Sequence, residues 1–258
     1  ASGQTYVAWN WKANGTGVSN TDGTITSTVS ANTDAGFSIV KYVGVSGASD
    51  ATKVGHGLSS APEMVIIRRY DTTSWWCVWH HEMHSDGGFD RKMYLNETDG
   101  VSGTGQRRVT SVSNTTFGLC EGASTGGYTE ANGIGNDHIA YCFHSVDGYS
   151  KVGSYTGNGS SDGTFVYTGF RPAYVMIKRT DAAGQDWVII DNVRDPYNVT
   201  DSHLVANTSQ IEYDTYVNKD FLSNGFKIRD TSGHQNTSSG TYIYYCVAEH
   251  PFKHTNAR

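Results

Sequence analysis

The densest group of chemically capable side chains is Trp-Trp-Cys-Val-Trp-His-His-Glu-Met-His at residues 75–84. His80, His81, Glu82 and His84 are all residue types that ligate metals. The helical zinc signature, however, spaces two histidines as His-Glu-x-x-His, so that one helix face carries both. Here the order is His-Glu-Met-His at the end of a β-like run. Side chains alternate along a strand, so His80 shares a face with Glu82, while His81 has no acidic neighbour on its own face. The corresponding stretch later in the chain, Asp191-Asn192-Val193-Arg194, has no histidine. The cluster reads as a polar strand end rather than a metal centre.

Sugar binding is the second chemistry these residues allow. Pyranose C–H groups pack on exposed aromatic faces at little conformational cost. In strand geometry Trp75, Cys77 and Trp79 face one way, and Trp76 and Val78 the other. Trp76 has a counterpart in Trp187 and is expected in the core. Trp75 and Trp79 have none, so one of them is the better surface platform, against the plainer expectation of packing. The candidate glycan contacts are Trp75, Trp79, His80, His81 and Tyr197. Three Asp/Asn-rich loops, at 20–23, 158–163 and 191–198, carry oxygen ligands of the kind calcium takes. Asp162, Asp191 and Asp195 are the calcium candidates, although turn formation accounts for the same residues without an ion. Hydrolysis of a polysaccharide needs two carboxylates roughly 5–10 Å apart across a cleft. Glu82, Asp186, Asp191 and Glu249 are available, but no acidic pair stands at strand spacing, and no Gly-x-Ser-x-Gly or phosphate loop appears.

The elements that must position these groups are strands. The chain of 258 residues holds 30 Gly, 16 Tyr and 6 Trp, and only 17% of it is charged. No stretch shows a 3.6-residue apolar period. Short runs of Val, Ile, Thr, Tyr and Trp are instead bounded by Gly, Asn, Asp and Ser, the pattern of strands joined by tight turns. The expected class is all-β. The net charge of −6 and the lack of a basic stripe argue against nucleic acid. No apolar run approaches the ~18 residues of a membrane span.

Landmarks recur ~110 residues apart, a common single-domain length. Met64–Asp71 returns at Tyr174–Asp181, Pro62 at Pro172, Trp76 at Trp187, Gly36 at Gly148 and Cys142 at Cys246. This predicts two tandem, jelly-roll-like β-sandwich units at 36–146 and 147–258, led by a segment at 1–35 of one strand and a polar hairpin or spacer. Tyr6–Trp11 aligns with His138–Phe143, and so is expected to be a strand closing a preceding unit or pairing across chains. The chain starts at Ala1 without Met, as a processed product or an excerpt would. The four cysteines lack metal spacing. Cys142 and Cys246 occupy one slot in two units and are expected as buried thiols. A disulfide involving Cys77 or Cys120 stays open.

Longer motifs carry a resemblance. "TVSANTDAGFSIVKYVG", "VGHGLSSAPEMVIIR", "GSYTGNGSSDGTFVYTGFRPAYVMIKRTD", "DFLSNGFKIR" and "AEHPFKHTNAR" resemble a repeated, Gly/Trp-rich, concanavalin A-like β domain. That domain occurs in tail-fibre and virion structural proteins of bacteriophages of the cyanophage type. The resemblance covers the chain from Tyr6 and departs at Asn10, where Cys is expected, and at "YVGVSGASDATK". It implies a non-enzymatic module on a virion surface or in another extracellular fibre, which attaches to cell-surface glycan and self-associates as a homo-oligomer, commonly a trimer. It supplies no catalytic residues. A free-standing lectin and a polysaccharide-degrading glycosidase are the alternatives.

Overall fold

A computed structural model describes residue 3 and residues 5–126, 128–215 and 217–251. The first part of the chain forms β1 (Val18–Asn20), β2 (Ser27–Asn32), β3 (Phe37–Val43), β4 (Lys53–Gly55), β5 (Met64–Arg69), β6 (Trp76–His80), β7 (Met93–Tyr94), β8 (Val109–Val112) and β9 (Thr116–Leu119). The one-turn helix α1 (Thr129–Asn132) and β10 (Asp137–Phe143) follow. The second part forms β11 (Ser150–Thr156), β12 (Phe165–Tyr167), β13 (Pro172–Arg179), β14 (Val188–Asp191), β15 (His203–Val205), β16 (Lys219–Leu222), β17 (Gly225–Ile228) and β18 (Thr241–Ala248). The protein is all-β, with every strand pairing antiparallel. None of the described residues forms a helix long and apolar enough to cross a membrane.

Four sheets result. A seven-stranded sheet runs β1-β2-β3-β10-β5-β6-β7, and a five-stranded sheet runs β11-β18-β13-β14-β15. Two three-stranded sheets run β4-β9-β8 and β12-β17-β16. The order β3-β10-β5-β6-β7 passes through its strands as β11-β18-β13-β14-β15 does, with the closing strand between the first and the Pro-led strand. Alternation then assigns each face. Tyr42 turns toward Phe117 of the first small sheet, with ring centroids 6.2 Å apart. Tyr244 turns toward Phe226 of the second, at 5.5 Å. The opposite faces of the two large sheets meet each other, with Phe143 packed on Tyr245 at 4.9 Å. The layers therefore stack small, large, large, small. Tyr174, Met176, Trp187, Ile189 and Tyr245 belong to the same buried cluster as Phe37, Met64, Ile66 and Phe143. The two large sheets share this seam as a core.

Residues 5–13 are not a strand. Their alternation is real: Val7, Trp9, Trp11 and Ala13 are half-buried between exposed neighbours. The partners they meet are side chains and not a strand edge. Trp9 Nε1 donates to Asp191 Oδ2 at 3.3 Å and Trp11 Nε1 to the Tyr245 hydroxyl at 3.0 Å. Both indoles meet the Tyr174 ring edge-on, at 5.6 and 5.4 Å. The segment is a strap across the rim of the seam. The hairpin behind it is ordered into the fold, β1 on β2 and β2 on β3. All four cysteines are buried free thiols, and burial drives Cys120 and Cys142 up to about 12.

Candidate ligand-binding groove

After β6 the chain leaves the seven-stranded sheet and loops toward the second sandwich, making a polar groove between the two. Its larger part holds about 510 Å³ between His84 and Arg91 on one side and Tyr155, Thr241 and Tyr242 on the other. A second part of about 330 Å³ continues past Lys92, Tyr94 and Asp99. Val101, Ser102, Thr180 and Asp181 line both parts.

Backbone contacts fix the groove. Val101 N donates to Thr180 O at 2.7 Å, tying one sandwich to the other. Gly100 permits this approach, because a Cβ there would lie 2.7 Å from Thr180 O and 2.9 Å from Ala182 O. Lys92 N donates to Ser102 Oγ at 2.8 Å and Arg91 Nη1 to Ser102 O at 3.0 Å. Asp86 organises the outer wall: it accepts from Gly88 N at 2.9 Å and from Arg91 Nε at 2.9 Å, and lies 3.0 Å from His84 Nδ1. The Gly88 amide first, then Arg91 and His84, hold this carboxyl below the usual carboxylate range. Asp181 on the facing wall pairs with Arg179 at 2.7 Å. Burial opposes its charge, but Arg179 and the Thr241 backbone outweigh that and keep its pKa low. The same clasp, Arg69 on Asp71 at 2.5 Å, ends β5 in the first sandwich.

Trp75 stands beside this groove with 47% of its surface exposed. Its indole stacks on Tyr94, centroids 5.6 Å apart, and its Nε1 donates to Glu97 Oε1 at 3.1 Å. The Lys92 ammonium lies 5.2 Å from the other partner of that stack, the Tyr94 ring. An exposed ring backed by a second ring and braced at its N–H is a rigid platform for a sugar face.

The other sequence candidates do not gather here. Trp79 is only 3% exposed. It stacks on Phe89 at 5.1 Å and donates to Gly87 O, so it is core and not a surface platform. His80 is fully buried, with Nδ1 accepting from Glu82 N at 3.1 Å, and cannot touch a surface glycan. Burial, then the neighbouring His81, drives it down to about 3. His81 is half-buried against His80, ring centroids 5.2 Å apart, with Nε2 4.0 Å from Glu82. Tyr197 is 81% exposed, on the loop after β14, and is not among the groove's lining residues. Trp187 is core, with Nε1 donating to Tyr94 O at 2.8 Å across the seam, whereas Trp76 is half-buried at the seam's edge.

The three calcium candidates lie apart and serve other ends. Asp162 is paired with Lys227 at 2.5 Å and Arg229 at 3.5 Å. Asp191 is buried, accepts from the Val193 and Arg194 amides, and pairs with Arg194 Nε at 2.6 Å. Asp195 accepts from Asp201 N at 2.8 Å. No group of three or more His, Cys, Asp or Glu placed to hold a metal occurs among the described residues. Arg91, Lys92, Ser102 and Tyr155, which build the groove, carry no motif in the sequence. The usable signal is the long Gly/Asp/Arg-rich loop after β6, since loops of that length are uncommon without a role.

The chain belongs to a family described as a domain of unknown function, DUF7483, whose model matches residues 1–251. No curated protein and no solved structure matches it.

Proposed function

We propose that this member of the DUF7483 family is a non-enzymatic adhesion module of a phage tail fibre or similar extracellular fibre, and that it holds a host-surface glycan in the groove between its sandwiches. The observation that supports the reading is the groove itself. It is an elongated polar channel of sugar dimensions, walled by fixed donors and acceptors (Arg91, Ser102, Asp181), with the braced indole of Trp75 alongside. Hydroxyl-rich ligands need such fixed hydrogen-bond partners plus an aromatic face. Self-association into a homo-oligomer belongs to the same proposal and rests on the family resemblance.

A glycan array probed with the purified chain tests it, once with calcium and once with chelator. Binding to a narrow sugar class that falls at least tenfold in Trp75→Ala and in Arg91→Gln is the expected result. Equal binding by Trp75→Ala, Arg91→Gln and the parent chain rejects the groove. Sedimentation of the same sample separates a fibre component, which assembles, from a free-standing monomeric lectin.

One observation favours a glycosidase as the second reading: Glu82 and Asp181 line the same part of the groove. A glycosidase keeps one of its two carboxyls protonated as general acid. Asp181 is held ionised by Arg179, which suits it to accept hydrogen bonds and not to donate a proton. Release of reducing ends from a bound polysaccharide, lost in Glu82→Gln, would make the enzyme reading the right one.

A further inference from the structure

The seam between the two large sheets contains a second cleft, of about 360 Å³, that the polar groove does not use. Ile66, Trp76 and Tyr141 line one wall, Met176 and Tyr245 the other, and Trp9 and Trp11 of the strap close over it.

Strand alternation sets the chemistry of the first wall. Phe37, Ile39 and Lys41 on β3, Phe143, Tyr141 and Ile139 on β10, and Met64, Ile66 and Arg68 on β5 all point to the seam face. Pairing puts Phe37, Phe143 and Met64 at one level and Ile39, Tyr141 and Ile66 at the next. The third level is Lys41, Ile139 and Arg68. The cleft wall is thus apolar for two levels, and one level beyond its lining two cations flank Ile139 on the same face. The Arg68 guanidinium lies 4.7 Å from the Trp76 ring centroid, and the Lys41 ammonium 5.4 Å from that of Tyr70. Among the described residues neither makes an ion pair. In register, Asp137 stands one level further out on that face, opposite Val43. On the facing sheet the row Tyr174, Met176, Lys178 has the same pattern, but there Lys178 Nζ donates to Thr98 O at 3.1 Å and Gln185 O at 2.8 Å. One wall has its cation satisfied by carbonyls, and the other presents two without an anion.

The far end is closed. Asn32 Nδ2 donates to Lys12 O at 3.0 Å, and Asn32 pairs with Phe37, so the strap is rooted at the end of β3 away from Lys41. The N–H groups of both indoles are already bonded to Asp191 and Tyr245, so neither indole adds an unmet donor to the cleft.

We infer that this cleft binds a single-chain anionic amphiphile, its apolar tail along the two aromatic and aliphatic levels and its carboxylate or phosphate head between Lys41 and Arg68. Small-molecule sites run from roughly 300 to 1,000 Å³ and are mostly apolar with a few placed polar groups. Apolar voids take apolar guests, and an arginine beside an anion forms the stronger, charge-assisted class of hydrogen bond. The glycan reading is independent of this site.

The full chain is titrated with dodecanoate and dodecyl phosphate below their micelle concentrations, with dodecanol and dodecyltrimethylammonium as controls. Calorimetry and tryptophan fluorescence report binding, since Trp9, Trp11 and Trp76 line the cleft. Saturable one-to-one binding of both anions is expected, with the alcohol about tenfold weaker, the scale of one hydrogen bond to a charged group. Arg68→Gln and Lys41→Gln each reduce anion affinity about tenfold. Met176→Trp fills the cleft and abolishes binding while leaving glycan binding intact. The proposal is overturned if alcohol or cation binds as tightly as the anions, or if the folded Arg68→Gln and Lys41→Gln variants bind dodecanoate unchanged.

Discussion

Trp75 and Trp79 lie on the same side of one short run, yet only one of them meets solvent. Trp79 is inside β6 and is covered by Phe89, whereas Trp75 precedes the strand, where the covering layer has ended. Truncating them should therefore separate stability from binding. Trp79→Ala should lower the unfolding free energy by about 3–5 kcal/mol, the range for buried aromatics. Trp75→Ala should cost about 1 kcal/mol, the scale of an aromatic pair. Urea titration of the two variants checks this; equal losses would mean that the Trp75 stack is structural. Alternation alone placed both rings on one face. It could not say where that face stops being covered, because the cover comes from Phe89, a residue in a loop with no strand pattern of its own.

The groove is a property of elements, since it exists only where the loop after β6 crosses to the β13 and β18 ends. Gly100 lies at a close approach in that crossing. Gly100→Ala puts a methyl group against Thr180 O, and overpacking of this kind costs about 1–3 kcal/mol. The expected outcome is a matching drop in thermal stability together with weakened glycan binding, while Gly103→Ala, with open space around it, leaves stability unchanged. The β elements were legible in the sequence because both signals were local: β-branched and aromatic runs between turn residues, and Pro ahead of β5 and within the first residue of β13. Trp76, Cys142 and Cys246 fall on the strands expected of them, and Trp187 stands immediately before β14. Residues 5–13 were misread because period-two alternation reports a segment with one buried side, and a strap over a seam has one just as a strand does. The groove stayed hidden because it joins Arg91 to Tyr155 and Asp181 across two sandwiches, and no pattern within either half contains that contact.

At the scale of the whole molecule, buried titratable groups set the pH response. Burial lowers His56, His138, His203 and His234, and takes His80 to about 3. In the unfolded chain these imidazoles titrate near ~6.5. The folded state thus binds fewer protons below that value, and stability present above pH ~6.5 is lost as pH falls. Burial also lowers Lys219, whose Nζ has no hydrogen-bond partner among the described residues, to about 7. Between about pH 7 and the unfolded lysine value of ~10.4 the unfolded chain holds the extra proton. Stability therefore rises with pH through this window as well, until the raised tyrosine and cysteine groups reverse it. Melting temperature should climb from pH 5 to about pH 8, short of the ~8.5 at which unfolded cysteines begin to titrate, and Lys219→Met should flatten the part above pH 7. A melting temperature that is flat or falls between pH 5 and about pH 8 would contradict the burial of these groups. The shared seam adds that heating should produce one transition whose calorimetric and van't Hoff enthalpies agree; two resolved transitions would mean that the sandwiches unfold separately. The same seam has a meaning for protein engineering. Divided between β10 and β11, the chain would give two fragments that each carry a bare apolar sheet, poor in isolation and complementary when mixed. The turn between β10 and β11 is therefore a candidate cut site for a split reporter.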